Sequence, residues 1–382
     1  MISRKVLALL IVLLMAAGGL LTQFPYRDPA SVEPPEDSAF GNTLTSDDKG
    51  FDRAYKPRPF SFPDDFGPHE RYRTEWWYFT GNLHTPGGRR FGYELTFFRF
   101  ALAPTQPASK SAWRTNQLYM AHLALTDAEA KRFFAAERFS RASNGLAGAE
   151  SDRYHVWLYD WMADGQNDGG FPIRLQAKNE GFALDLNLQT RRAPVLQGDR
   201  GLSQKSAKPG NASYYYSYTR IATDGAVTVN DKVYPVTGES WMDREWSTSA
   251  LDKEQAGWDW FALQLDDQGE LMFYQFRRKD GKPDLNSSGA WFLADRTKLP
   301  LNHQDVFIDI LDSWKSPHSQ ILYPARWRLS IPTRKLTLEI VPLINDQELN
   351  LSYRYWEGAV SVRGRLNGKE ITGKGYVELT GY

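Results

Sequence analysis

The sequence predicts an all-β protein built from two related domains, and three observations point there. Aromatic residues are abundant, 13 Trp, 19 Tyr and 21 Phe in 382 residues, and many lie in short alternating runs that suit a pleated sheet better than a helix. A hairpin pattern occurs twice. There is no regular alternation of helical and strand segments, no Gly-rich phosphate loop and no Gly-x-Ser-x-Gly elbow.

The first hairpin runs from Glu75-Trp-Trp-Tyr-Phe-Thr-Gly-Asn-Leu83 through Thr85-Pro-Gly-Gly88 into Phe91-Gly-Tyr-Glu-Leu-Thr-Phe-Phe-Arg-Phe100. Strand, turn and strand in that order make a β-hairpin. The second runs from Gly257-Trp-Asp-Trp-Phe-Ala-Leu-Gln-Leu265 through Asp266-Asp-Gln-Gly269 into Glu270-Leu-Met-Phe-Tyr-Gln-Phe-Arg-Arg278. Superposed, Trp76 meets Trp258, Phe79 meets Phe261 and Leu83 meets Leu265. Both second strands end in an aromatic–Arg pair, Phe98-Arg99 and Phe276-Arg277. A hairpin repeated about 180 residues apart marks a duplicated β domain. Further strands are expected at 153–159, 182–188, 213–220, 326–331, 336–341 and 356–366. Their short spacing, with Asp-Gly, Asn-Gly and Pro-Thr turns between, suits barrels or sandwiches. The best helical segment is 126–134, with Thr126 or Asp127 as N-cap and Glu129 in the first turn.

The N-terminus reads as an export segment. Arg4 and Lys5 precede the unbroken apolar run from Val6 to Met15, and Ala16-Ala17-Gly18-Gly19 supplies small residues for cleavage. Residues 1–22 are expected to be a cleaved signal peptide or a retained anchor, with the rest outside the cytoplasm, periplasmic or secreted. Residues 23–60, rich in Pro, Asp, Glu and Ser, read as a linker or extended arm. The two domains are then expected at 61–235 and 236–382. Basic and acidic residues balance at 46 each, which argues against a nucleic-acid partner, since neutralising phosphates needs a basic surplus. The chain has no Cys, so disulfides, thiolate nucleophiles and Cys-held metals are excluded.

Three motifs could carry chemistry. In Glu75-Trp76-Trp77, strand alternation puts Glu75, Trp77 and Phe79 on one face and Trp76, Tyr78 and Thr80 on the other. A carboxylate beside an indole loses solvation, its pKa rises and it can serve as a general acid; otherwise it pairs with Arg71, Arg73 or Arg99. In Trp241-Met-Asp-Arg-Glu-Trp246, Trp241, Asp243 and Glu245 share one face. Two carboxylates roughly 6–7 Å apart on a strand face can couple and keep a proton at neutral pH; otherwise they form an ion-paired rim with Arg244. In Trp258-Asp259-Trp260, Asp259 is a catalytic acid or the partner of an inward-pointing Arg. The six His show no metal-pair spacing, and His69 and His122 are the two that could face a pocket.

Several of these stretches resemble the AttH-like/carotenoid 1,2-hydratase (CrtC) family: His69-Glu-Arg-Tyr-Arg-Thr-Glu-Trp-Trp-Tyr-Phe-Thr-Gly-Asn-Leu83, Ser213-Tyr-Tyr-Tyr-Ser217, the 241–246 and Gly257-Trp-Asp-Trp260 motifs, and the end Gly373-Lys-Gly-Tyr-Val-Glu-Leu-Thr-Gly-Tyr382. The resemblance runs from about residue 65 to the C-terminus and looks like the branch described as secreted hydrolases. It implies two lipocalin-like (calycin-type) antiparallel β-barrels in tandem, with no metal or organic cofactor. The named family activity is hydration of a carotenoid double bond: an acid protonates the alkene, aromatic faces stabilise the cation and water adds. Where the carotenoid branch has a His beside a Trp and a Tyr with an Asp, this chain has Asp243, Glu245 and Asp259. Three functions are therefore expected. One is binding a hydrophobic lipid- or terpenoid-like molecule and hydrating or hydrolysing it through Glu75, Asp243, Glu245 and Asp259, in a pocket lined by Trp76, Trp77, Tyr78, Trp241, Trp246, Trp258 and Trp260. Another is a lipid carrier, accessory to an inner-membrane ABC exporter. The third is a carbohydrate-binding module.

Overall fold

The computed structural model describes residues 48–382, apart from 107, 109, 112, 167–169 and 250. The expected export segment, and the arm as far as residue 47, lie outside the described residues. Residues 48–60 form no strand but dock on the first barrel. Phe60 packs edge-on against Tyr214, Tyr216 and Trp246, and the Tyr214 hydroxyl donates to the Lys56 carbonyl at 2.9 Å.

The alternating runs become strands because each places apolar residues on one face and leaves a second face to be covered. The first antiparallel sheet contains β1 (Thr74–His84), β2 (Arg90–Ala101), β3 (Gln117–Asp127), β4 (Arg132–Arg141), β5 (Ala147–Glu150), β6 (His155–Leu158), β7 (Trp161–Gly165), β8 (Ile173–Asn179), β9 (Phe182–Gln189), β10 (Val195–Leu196), β11 (Leu202–Gln204), β12 (Ala212–Val229) and β13 (Lys232–Ser247). Its order is β4-β3-β2-β1-β13-β12-β9-β8-β7-β6-β5, with β10 and β11 also on β12. The sheet curls until β6, near one edge, meets β2, β3 and β4 near the other. The space inside is filled by one apolar core.

The second sheet contains β14 (Gln255–Leu265), β15 (Glu270–Arg278), β16 (Ser288–Phe292), β17 (Lys298–Asn302), β18 (Phe307–Lys315), β19 (Leu322–Ile331), β20 (Leu336–Pro342), β21 (Glu348–Asn350), β22 (Arg354–Leu366) and β23 (Lys369–Leu379). Its order is β17-β16-β15-β14-β23-β22-β20-β19-β18, with β21 on β22. It wraps a core of its own. The architecture is all-β, with two curled antiparallel sheets in tandem, in keeping with lipocalin-like barrels.

The two expected hairpins are present with matching register: Trp76 lies opposite Phe98, and Trp258 opposite Phe276. Two expectations differ. Residues 126–134 are the β3–β4 hairpin and not a helix. The Asp127 carboxylate accepts from the Ala130 amide at 3.2 Å, and Lys131 adopts a left-handed φ of 51°, so the residue read as an N-cap shapes a turn. The boundary at 235/236 falls inside β13, which pairs with β1 and β12 along its length. The chain leaves the first sheet after Ser247 and enters the second at Gln255.

Candidate functional site

Alternation along β1 and β13 sends neighbouring side chains to opposite sides of the first barrel wall. Glu75, Trp77, Met242, Arg244 and Trp246 point into the barrel, where all are buried. Glu75 Oε1 is held by Arg99, and Oε2 accepts from Arg244 at 2.7 Å. The His69 amide donates to both oxygens at 2.8 and 3.1 Å, and His69 Nδ1 lies 3.2 Å from Oε2. Burial by itself would raise the Glu75 pKa. The Arg99 and Arg244 guanidiniums and His69 outweigh it and hold the carboxyl well below its usual range. Glu75 is therefore a fixed anion, not the general acid expected from its indole neighbours. The Arg244 guanidinium lies 3.8 Å from the Trp77 ring centroid and 5.4 Å from that of Trp246. His69 stacks on Trp246 at 3.7 Å. Trp77 and Trp246 thus line this ionic plug inside the barrel and not the junction described next.

The opposite faces of β1, β2, β12 and β13 meet β14, β15, β22 and β23 of the second barrel. Tyr78, Tyr215 and Trp241 form a cluster there with Trp260, Met272, Tyr274 and Tyr376, flanked by half-buried Trp76 and Trp258. Trp260 packs edge-on against Tyr78 at 5.3 Å and Trp241 at 6.3 Å.

Asp243 is buried in this cluster. Its oxygens accept from the Tyr215 hydroxyl at 2.5 Å and the Trp241 indole at 2.7 Å. Loss of solvation pushes its pKa up to about 7, against the pull of hydrogen bonds from Ser217, Tyr215 and Trp241 and with a small push from Glu245. Glu245 on the same face is bound by Ser213 and ion-paired with Lys205 at 2.7 Å. The expected partner Arg244 points the other way. The two carboxylates are therefore unlike: Glu245 has a cation, and Asp243 is held only by neutral donors.

Three more acids converge on the junction, and the sequence reading missed them. Glu94 on β2 accepts from Thr96 at 2.6 Å and Tyr355 at 3.4 Å, while its second oxygen is buried with no partner. Glu357 accepts from the Tyr78 hydroxyl. Glu378 lies directly opposite Glu357 in the β22–β23 ladder. Like charges opposite each other on a sheet repel. Burial first, and then mutual repulsion, raises the pKa of Glu357 and of Glu378; burial raises that of Glu94. Ionising one of these acids makes it harder to ionise the next, so they titrate as a group. His122, buried at the junction, meets the Tyr355 hydroxyl through Nδ1 at 2.7 Å, and burial drives its pKa down to about 3. A signal was present in the sequence: each acid shares a strand face with aromatic or small residues, as Glu357 does with Tyr355 and Ala359. Alternation gives the face, but not what covers it.

Asp259 is placed elsewhere. It faces the second barrel's interior, opposite to Trp258 and Trp260, and accepts from Arg277 at 2.9 Å and from the Tyr382 hydroxyl at 3.0 Å. Burial raises its pKa against the opposing pull of Arg277. The inward Arg pair is the reading that fits. Each barrel carries such a pair, and the two Arg, Arg99 and Arg277, are the equivalent residues of the repeated hairpin. Among the described residues, no group of three or more His, Cys, Asp or Glu is arranged to hold a metal ion. The junction is tightly filled around a void of about 10 Å³ beside Thr80, Trp241, Gln264 and Tyr376.

Fold and site define a class: tandem lipocalin-like barrels with plugged interiors and a set of carboxylic acids where their outer faces meet. The AttH-like family model matches residues 53–382, and the chain belongs to that family. It is similar to the crystal structure of an AttH from Nitrosomonas europaea, with 34% identity and a TM-score of 0.78, covering 87% of this chain and 99% of that one. It is similar to kievitone hydratase of Fusarium solani subsp. phaseoli, 23% identical over 216 residues, or 54% of this chain and 59% of that protein. The crystal structure of kievitone hydratase from Nectria haematococca shares the fold, with 15% identity, a TM-score of 0.65 and coverage of 87% and 98%.

Proposed function

We propose that this protein is an exported hydratase that adds water to a carbon–carbon double bond of a hydrophobic, terpenoid- or lipid-like molecule at the barrel junction. The observation that carries this is Asp243: a buried carboxyl with no cation, poised near neutral pH, among Tyr215, Trp241 and Trp260. A carboxylic acid with that pKa can hand its proton to an alkene carbon. The electron-rich faces of Trp241 and Trp260 stabilise the carbocation. Water then attacks the cation and passes its extra proton to an ionised carboxylate of the Glu94, Glu357 and Glu378 group. One C–H and one C–O bond form, the π bond and one O–H bond of water are broken, and the site returns to its starting state when the Glu group releases its proton to solvent and Asp243 takes one up. The likeness to kievitone hydratase supports the same reaction class. Trp76 and Trp258, half-buried at the margin, are the side chains that move aside to admit the substrate.

Incubation with prenylated and terpenoid alkenes in ¹⁸O-labelled water tests this. The expected product carries the label and gains the mass of one water. Asp243→Asn should slow its formation by roughly 10²–10⁴-fold while leaving the near-ultraviolet circular dichroism unchanged. Full activity in that variant would sink the assignment of the acid. A second reading is a carrier that opens to hold a lipid and passes it on, with an envelope ABC exporter as partner. A co-purifying apolar molecule recovered unchanged after incubation would support the carrier. The carbohydrate-binding reading needs Trp on an open face; Trp113 is exposed, but the Trp of the expected pocket, Trp76, Trp77, Trp241, Trp246, Trp258 and Trp260, are all buried or half-buried.

A further inference from the structure

A cavity of about 370 Å³ opens between the loop that carries β10 and the β16–β17 hairpin. This is within the range of small-molecule sites. Its floor is apolar: Val195 and Phe292 are buried together with Ala290 in a small core of their own, and Leu196 completes the wall. Its remaining lining includes three cations, Arg200, Arg296 and Lys298. Lys298 Nζ donates to the Leu196 and Gly198 carbonyls, each at 2.6 Å, and Arg296 donates to the Ala193 carbonyl at 2.6 Å. Among the described residues, neither makes an ion pair with a carboxylate. Only Arg200 has one, its exposed neighbour Asp199, at 3.1 Å. Carbonyl oxygens use some of these donors but neutralise no charge. Most of the Arg296 donors and one Lys298 proton remain available. Burial also pulls the Lys298 pKa down, and the nearby Asp199 carboxylate offsets only part of this.

We infer that this cavity binds an amphipathic anion, a molecule with one carboxylate head and an unbranched apolar chain. The chain lies on Val195, Leu196 and Phe292, and the head meets Arg296 and Lys298. The site is separate from the acid junction and does not depend on the reaction proposed there. The apolar floor and the spare donors of the cations together match the two ends of such a molecule, and neither alone does.

Isothermal titration of the full chain with sodium decanoate, below its micelle concentration, tests the inference. One molecule should bind per chain. Decan-1-ol and inorganic phosphate should each bind at least about ten-fold more weakly, since each lacks one half of the recognition. Arg296→Gln and Lys298→Gln should each weaken decanoate about ten-fold. Leu196→Trp, which fills the cavity and keeps every cation, should abolish binding. Because Lys298 also tethers the 196–198 loop, near-ultraviolet circular dichroism must match the parent; if Lys298→Gln fails that check, Arg296→Gln and Leu196→Trp decide. Decan-1-ol or phosphate binding as tightly as decanoate would overturn the inference. So would parent-like binding by Arg296→Gln and Leu196→Trp, or no binding of decanoate at all.

Discussion

Asp243 and Glu75 sit on paired strands, and their surroundings push their protons in opposite directions. An Asp in an unfolded chain titrates near ~3.9, whereas burial pushes the Asp243 pKa up to about 7. Below pH 4 both states hold the proton. As pH rises from about 4 to 7 the unfolded chain gives it up while the folded protein keeps it, so stability falls with rising pH over that window. Asp243→Asn should therefore be more stable than the parent in urea at pH 8, with the two curves converging near pH 4; a less stable variant at pH 8 would refute this. Glu75 is the reverse case. Its folded-state pKa is depressed, so its stabilisation is present above the unfolded value, near ~4.3, and is lost as pH falls below it. Glu75→Gln leaves two buried guanidiniums without a counter-charge and should cost about 3–5 kcal/mol at pH 7, a gap that denaturation curves should show narrowing in acid. Glu75 shows where sequence reasoning stops. Its face was legible from alternation, but one of its cations, Arg244, is 169 residues away, and no local pattern reports it.

At the scale of the element, β2 and β22 set how closely the barrels approach. A Cβ built on Gly92 would lie 2.4 Å from the Ala359 Cβ across the junction, so only a glycine allows this spacing. Gly92→Val should force the strands apart and cost about 1–3 kcal/mol. Ala359→Gly should recover part of that loss, so that thermal denaturation of the double variant shows less than the sum of the single effects. Additive losses would mean that the strands do not bear on each other there. Strand identity and the paired hairpins were legible because period-two patterning and Pro-Gly-Gly or Asp-Asp-Gln-Gly turns are local signals. The 126–134 segment was misread because an Asp side chain accepting a nearby amide serves a helix start and a tight turn alike. The domain boundary was misplaced because β13 makes its pairs with β1, far back in the chain.

At the scale of the molecule, the junction is polar as well as aromatic. Arg220 of β12 pairs with Glu239 at 2.9 Å and with buried Glu270 of β15 at 2.7 Å. Asn82 donates to the Gly375 carbonyl at 2.9 Å, and Gln264 donates to the Thr219 and Ser240 carbonyls at 2.8 and 3.0 Å. The Arg220–Glu239 pair lies within the first barrel, but losing either barrel would break the Arg220–Glu270 pair and leave Asn82 or Gln264 without its partners across the junction. The barrels should therefore unfold in a single calorimetric transition, with equal calorimetric and van't Hoff enthalpies; two resolved transitions would show that they stand alone. Tandem barrels were legible from the repeat, but the gathering of Asp243, Glu94, Glu357 and Glu378 at one junction was not, since it depends on how two finished sheets dock. The two-sided ribbon of β1 and β13 also has a consequence for change over generations or in a library. Residues that anchor the scaffold and residues that would meet a ligand alternate along the same strands. Randomising Trp76, Tyr78 and Thr80 with Trp241, Asp243 and Glu245 alters only the junction-facing side. Substitution at every second position thus changes the junction while leaving the ionic plug behind it in place, so a library has only the junction's own partners, such as Lys205 for Glu245 and Tyr215 for Asp243, to satisfy again.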